Sequence, residues 1–189
     1  GTIVDQESYS DGDVDYKTQL TTILGKAPET VFCPNYYQEV GQILSQAESI
    51  GLTVPFLGGD GFGSVKDYAS AEDLEGTVYC SGYAPGTESV AQFEKDYCET
   101  YKVDTVPNMF APLAYDAAML MACGLKAAED KGLTAGTDEY KQAVIEAINT
   151  MNGVEGVTGS YSFDEYNNPI KSVAIIELTN GEEAFKEMY

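Results

Sequence analysis

An α/β fold with a parallel sheet is the architecture this sequence predicts, on three observations. Between residues 30 and 101, short apolar runs alternate with amphipathic helical runs at about 25-residue spacing, the pattern of a parallel sheet with helices packed on its faces. Two of the runs are followed by the turns PNYYQEV and GGDGFG, placed where loops leave the ends of strands. Beyond residue 108 the alternation stops: two long helical segments are followed by two strand-like ones. That order does not extend a simple doubly wound sheet, and it implies that the chain crosses between two lobes.

The elements follow in order. TIVD (2–5) opens an extended segment, and SDGDVD (10–15) supplies a turn and an acidic helix start, which suits the helix dipole. The next helix carries Tyr16, Leu20, Ile23 and Leu24 on one face and stops at Pro28. TVFCP (30–34) is a short strand. Residues 37–50 place Val40, Ile43, Leu44 and Ala47 at helical spacing, with Gly51 as terminator. VPFLGG (54–59) and LEGTVYCSGYA (74–84) are strands, and 88–101 is a helix. Helices are predicted over 108–131 and 138–149, and two strands around a polar turn over 156–178.

Composition narrows the function. The 189 residues suffice for one good domain or two small ones. A hydrophobic share of 43% and a charged share of 22% are ordinary for a packed chain. The net charge of -21 is not ordinary. It repels nucleic acid and anionic membrane surfaces and favours neutral or cationic small ligands. There is no histidine, which removes Ser-His-Asp and Cys-His chemistry and the commonest metal ligand. Cys33, Cys80, Cys98 and Cys123 form no C-x-x-C pair, so a zinc knuckle or thioredoxin-type site is not expected. All four read as free thiols, with Cys33, Cys80 and Cys123 as small core residues. The apolar stretch 109–128 is interrupted by Pro112, Asp116 and Lys126 and reads as a buried helix, not a membrane span.

Three residues are site candidates. Asp60 sits in VPFLGGDGFGS (54–64), a glycine-rich turn at a strand end. A phosphate loop wants a lysine or a bare helix N-terminus there; an aspartate repels phosphate and suits an ammonium. The plain alternative is a turn or capping residue. Tyr36, with Tyr37, follows the preceding strand in PNYYQEV (34–40), where one ring can face a crevice while its neighbour packs; the plain alternative is that both are half-buried surface aromatics. Ligands of such sheets bind outside the carboxyl ends of the strands, so these two turns form one constellation. Phe110, opening the long helix, is either core or a ligand wall. DGDVD (11–15) lacks the spacing and terminal Glu of a calcium loop, and FDEYNNP (163–169) reads as a hairpin turn. No nucleophile with an activating base stands out, so neither a reaction class nor a cofactor or metal is expected.

A family resemblance joins these readings. PNYYQEVGQILSQAESIGLTVPFLGGDGFG resembles the second lobe of the extracellular solute-binding proteins of branched-chain amino-acid ABC transporters, the Leu/Ile/Val-binding type. DGDVDYKTQLTTI, LEGTVYCSGYAP, FEKDYCETYK, FAPLAYDAAMLMACGLKAAED and GVTGSYSFDEYNNPIKSVAIIEL extend the match across the chain in order and spacing. The resemblance implies a type I periplasmic-binding fold, two α/β lobes joined by three crossovers and closing on a ligand, of which this chain is the C-terminal part. It implies lobe two for 1–82, helices of lobe one for 83–153, and a return to lobe two for 154–189. The family's acidic residue for the ligand's α-ammonium matches Asp60, its crevice aromatic matches Tyr36, and an aromatic of the side-chain pocket matches Phe110. The family's α-carboxylate donors fall outside the matched region. The resemblance implies a non-enzymatic receptor for an amino acid or related solute, an ABC permease as membrane partner, and an extracellular or periplasmic place, with a lipid anchor as one form of it. A sensory ligand-binding domain of the same fold is the alternative, and an α/β enzyme using Asp60 a remote one. The helix face Leu113, Ala117, Leu120, Met121 and Leu125, lacking a lobe-one sheet to cover it, leads us to expect self-association.

Overall fold

The computed structural model describes residues 1–189 as two compact units. The first comprises 1–81 and 174–188; the second comprises 82–173 and Tyr189.

The first unit is built on a five-stranded sheet. Strands β1 (Val31–Phe32), β2 (Phe56–Gly58) and β3 (Val78–Ser81) run parallel; β7 (Ala174–Thr179) and β8 (Glu182–Met188) complete it antiparallel, in the order β1-β2-β3-β7-β8. Helix α1 (Lys17–Leu24) starts after Tyr16, which is buried together with Leu20. Leu24 is exposed, so the buried face is narrower than the predicted one. Helix α2 (Tyr37–Ser49) buries Val40, Ile43, Leu44 and Ala47, the stripe its spacing predicts. It closes with Gly51 in the left-handed region (φ +80) and the Leu52 amide on the Ala47 carbonyl at 2.9 Å, a Schellman stop that drops Leu52 into the core. The short helix α3 (Ala71–Leu74) is set by a capping box between Ser70 and Asp73.

The segment TIVD pairs in no sheet, and Ile3 and Val4 are exposed. One expectation for this unit is corrected. Cys80 is exposed and not core, because strand alternation places it on the face opposite its buried neighbours Tyr79 and Ser81. The same face shows Phe32, 67% exposed, and Leu57. A further strand, β8, was not foreseen. Its turn, Asn180–Gly181, has positive φ at both residues, the two-residue hairpin geometry that Asn-Gly favours.

In the second unit, α4 (Ala91–Tyr101) and α5 (Phe110–Asp130) lie close to their predicted bounds, and α6 (Asp138–Asn149) lies on them. Gly124 and Ala128 of α5 meet Tyr140, Ala143, Val144 and Ile148 of α6. A Cβ on Gly124 would stand 2.8 Å from Ile148, so glycine sets how closely the two helices approach. Cys123 lies off that stripe and is exposed, which corrects its placement in the core. A three-stranded sheet of β4 (Val154–Gly156), β5 (Gly159–Phe163) and β6 (Pro169–Ile170) follows. Between the last two, Asp164 accepts hydrogen bonds from the amides of Tyr166 and Asn168, the hairpin turn expected of FDEYNNP. Residues 154–170 pair among themselves, and the first unit resumes at Ala174.

Candidate functional site

The turn carrying Asp60 depends on close approaches that only glycine permits. A Cβ on Gly58, the last residue of β2, would stand 2.4 Å from the Phe62 ring. The chain folds back there and lays the fully buried Phe62 on its own strand end, with the Tyr79 ring 6.0 Å away. Phe62 donates to the Gly59 carbonyl and Gly63 to that of Asp60, closing a 3-10 turn over Asp60–Phe62. Buried Phe62 and Val65 anchor the turn, and the Asp60 side chain is left exposed at its head. None of the ion pairs in the structure includes Asp60.

The neighbouring strand end meets this turn. The Cys33 amide donates to the Leu57 carbonyl at 2.8 Å, extending the β1–β2 ladder by one bond. Burial pushes the Cys33 thiol up to about 12, so it stays an unreactive core residue. A Cβ on Gly61 would stand 2.5 Å from the Asn35 carbonyl oxygen and 3.3 Å from the Tyr36 ring. Asp60 and Tyr36 are thereby neighbours across adjacent parallel strands. Tyr36 holds an extended backbone just before α2 and is 71% exposed. Tyr37 turns the other way and packs on Tyr68 with ring centroids 5.2 Å apart.

Two residues of this cluster escaped sequence reasoning. The Asn35 side-chain amide donates to the Tyr9 hydroxyl, and Tyr9 stacks edge-on against the buried Tyr16 at 4.9 Å. Burial raises the pKa of the Tyr9 phenol. Asn35 lies inside the quoted PNYYQEV, but Tyr9 belongs to an irregular segment 26 residues earlier, with no periodic signal to connect them.

Phe110 belongs to the second unit, whereas Asp60 and Tyr36 belong to the first. It opens α5, its amide is capped by the Asn108 side chain at 3.0 Å, and it is 51% exposed. Its neighbour Met109 takes the core position with Tyr83, Val90 and Leu113. A cavity of about 270 Å³ lies at the opposite ends of β2 and β3, with Glu48, Glu72, Asp73 and Glu75 in its wall; neither Asp60 nor Tyr36 lines it. No group of three or more histidine, cysteine, aspartate or glutamate side chains is placed to hold a metal. No helix is long and apolar enough to cross a membrane.

An exposed carboxylate and an aromatic ring thus stand at the carboxyl ends of adjacent parallel strands, where α/β sheets hold their ligands. The periplasmic binding protein family model matches residues 1–183, and the chain belongs to that family. The Leu/Ile/Val-binding protein homolog 3 of Brucella melitensis is 24% identical over 166 residues, which are 87% of this chain and 42% of that protein. The crystal structure of the leucine binding protein LivK from Thermotoga maritima superposes with a TM-score of 0.82 at 25% identity, over 95% of this chain and 50% of that one. LivJ from Streptococcus pneumoniae, the substrate binding protein of a branched-chain amino acid transporter solved with isoleucine, gives 0.75 at 29% identity, over 95% and 49%. These relatives are binding proteins, not enzymes. The chain spans about half the length of the solved structures it matches.

Proposed function

We propose that this chain is the C-terminal part of the substrate-binding component of an ABC importer, and that it captures a branched-chain or related amino acid outside the cell membrane. The observation that carries the reading is the pairing of Asp60 with Tyr36. A carboxylate held at a strand end by the Gly61–Asn35 approach, without a cationic partner of its own, suits an α-ammonium through a charge-assisted hydrogen bond. The exposed Tyr36 ring adds an apolar wall with a hydroxyl. Phe110, exposed at the head of α5, is proposed as a further apolar wall for the ligand's side chain. The names of the relatives, which bind leucine, isoleucine and valine, support the same ligand class.

In this reading 1–82 and 154–189 belong to lobe two, and 83–153 supplies helices to lobe one. The ligand touches both lobes and shifts an open–closed population; a membrane permease reads the closed form. The protein works in the extracellular or periplasmic space, with a lipid anchor as one way of staying at the membrane.

A thermal-shift screen of the full-length protein against the amino acids tests the proposal. At 100 times its dissociation constant, a true ligand adds about 2.7 kcal/mol of stability. Upward shifts confined to leucine, isoleucine, valine and their near relatives support it; a flat response across the amino acids removes it.

A further inference from the structure

A buried polar cluster in the second unit has no part in the binding just proposed. Asp116, on α5, is fully buried. Its carboxylate accepts the Val157 amide at 2.7 Å, the Thr158 amide at 2.9 Å, the Thr158 hydroxyl at 2.7 Å and the Tyr161 hydroxyl at 3.0 Å. The fit leaves no spare volume: a Cβ on Gly156 would stand 2.7 Å from that carboxylate. Lys171 docks onto the same cluster. Its ammonium donates to the Thr158 hydroxyl at 2.5 Å, the Tyr161 hydroxyl at 3.3 Å and the main-chain carbonyl of Gly82 at 3.0 Å, using all three of its protons.

Its place along the chain gives this cluster its interest. The chain leaves the first unit between Ser81 and Gly82 and returns between Val173 and Ala174. Lys171 therefore fastens the first residue of the outgoing passage to a point two residues before the returning one. Val173 in turn exchanges both backbone hydrogen bonds with Tyr189, at 2.9 and 2.8 Å. Lys171 is the only one of the ten basic residues, all lysines, that is not exposed. Burial works against its charge and lowers its pKa, with Asp116 opposing that shift. A methionine would fill the same space without that cost, but it could not hold a carbonyl.

We infer that Lys171 is a positioning residue: with Thr158 and Asp116 it forms a latch that pins both passages to one anchor on α5. Domain closure is taken up by dihedral changes at a few such passage residues. The latch denies that freedom to Gly82 and leaves it to residues on the far side of each passage. Its effect on ligand affinity rests on the binding function proposed above; its effect on the passages does not.

The test uses the full-length protein as wild type, Lys171→Met and Lys171→Arg. Without ligand, hydrogen exchange of peptides covering 82–86 and 171–175 is compared with that of 40–47 in α2. Loss of a charged hydrogen bond speeds exchange by about ten- to a hundredfold in the two passage peptides of K171M. The control peptide does not change, and K171R recovers much of the protection. Titration with L-leucine then shows a change of about two- to thirtyfold in Kd for K171M. Unchanged exchange in both passage peptides overturns the latch whatever the ligand result. Faster exchange with an unaltered Kd overturns its link to binding. If the wild type binds no amino acid, the binding function falls and the exchange result alone decides the latch. Should K171M fail to fold, Thr158→Val is measured in the same way, since it keeps the Thr158 amide on Asp116 and removes only the bridging hydroxyl.

Discussion

The carbonyl oxygen of Asn35 lies 2.5 Å from where a Cβ on Gly61 would stand. Main chain cannot yield as a flexible side chain can, so this contact joins the loop bearing Tyr36 to the turn bearing Asp60. Gly61→Ala is expected to force them apart and to cost about 1–3 kcal/mol, the usual range for overpacking. Urea denaturation measures it, and an unchanged midpoint would show that the two loops are not held to each other here.

Asp60→Ala has the opposite profile. An exposed loop carboxylate contributes little to the fold, so stability stays within about 0.5 kcal/mol. Leaving a bound ammonium without its anion costs about 2–5 kcal/mol in binding, roughly thirtyfold to several thousandfold in Kd. Asp60→Glu is milder because the charge survives, and Tyr36→Ala loses only wall area and falls below Asp60→Ala. Calorimetry on the full-length variants ranks them. Equal affinity in wild type and Asp60→Ala reduces Asp60 to a turn residue.

Asp73 gives an acid-side prediction. Burial pushes its carboxyl up, but hydrogen bonds from the Ser45 hydroxyl at 2.6 Å and from Ser70 outweigh it, and its pKa is lowered. A carboxyl with a depressed folded pKa adds stability that is complete above the unfolded value, about 3.9. That stability is lost as pH falls through the folded value. Thermal melts from about pH 6 down to about pH 2.5 should show a shallower acid decline in Asp73→Asn than in wild type. Parallel curves would mean that the carboxyl is not coupled to folding.

Along α5, Phe110, Met121 and Leu125 are 51%, 47% and 38% exposed, while Leu113 packs against the Met109 cluster and Leu120 is buried. Self-association of the 189-residue chain through this row is the expected outcome. Covering three or four such side chains is worth about 5–10 kcal/mol before the costs of association. Light scattering at micromolar concentration should find more than one copy, and Met121→Glu with Leu125→Glu should restore the monomer. A wild-type monomer ends the prediction.

The helices were legible because their burial repeats at 3.6 residues: Val40, Ile43, Leu44 and Ala47 carry the period openly, and Gly51 marks its end. β8 was not, since EEAFKEM hides an edge strand behind solvent-facing charges and only the Asn-Gly before it hinted at a hairpin. Cys80 and Cys123 misled because an apolar run does not say which face is covered. At the candidate site, the residue types and the strand ends could be read in the chain. The Gly61–Asn35 approach and the Tyr9–Asn35 bond could not, being contacts between segments 26 residues apart.

The order β1-β2-β3-β7-β8 leaves the first sheet two open flanks, and each resists lateral growth in its own way. The β1 flank offers a ladder of only two residues, and Pro34 just beyond it has no amide proton to donate. The β8 flank is longer, but a strand from another molecule would have to settle along Glu182, Glu183, Lys186 and Glu187. Charge along a sheet margin is a common defence against fibre formation. A chain with a net charge of -21 brings further repulsion to every such encounter. A short ladder bounded by proline on one flank and charge along the other thus turn any encounter between copies away from strand addition.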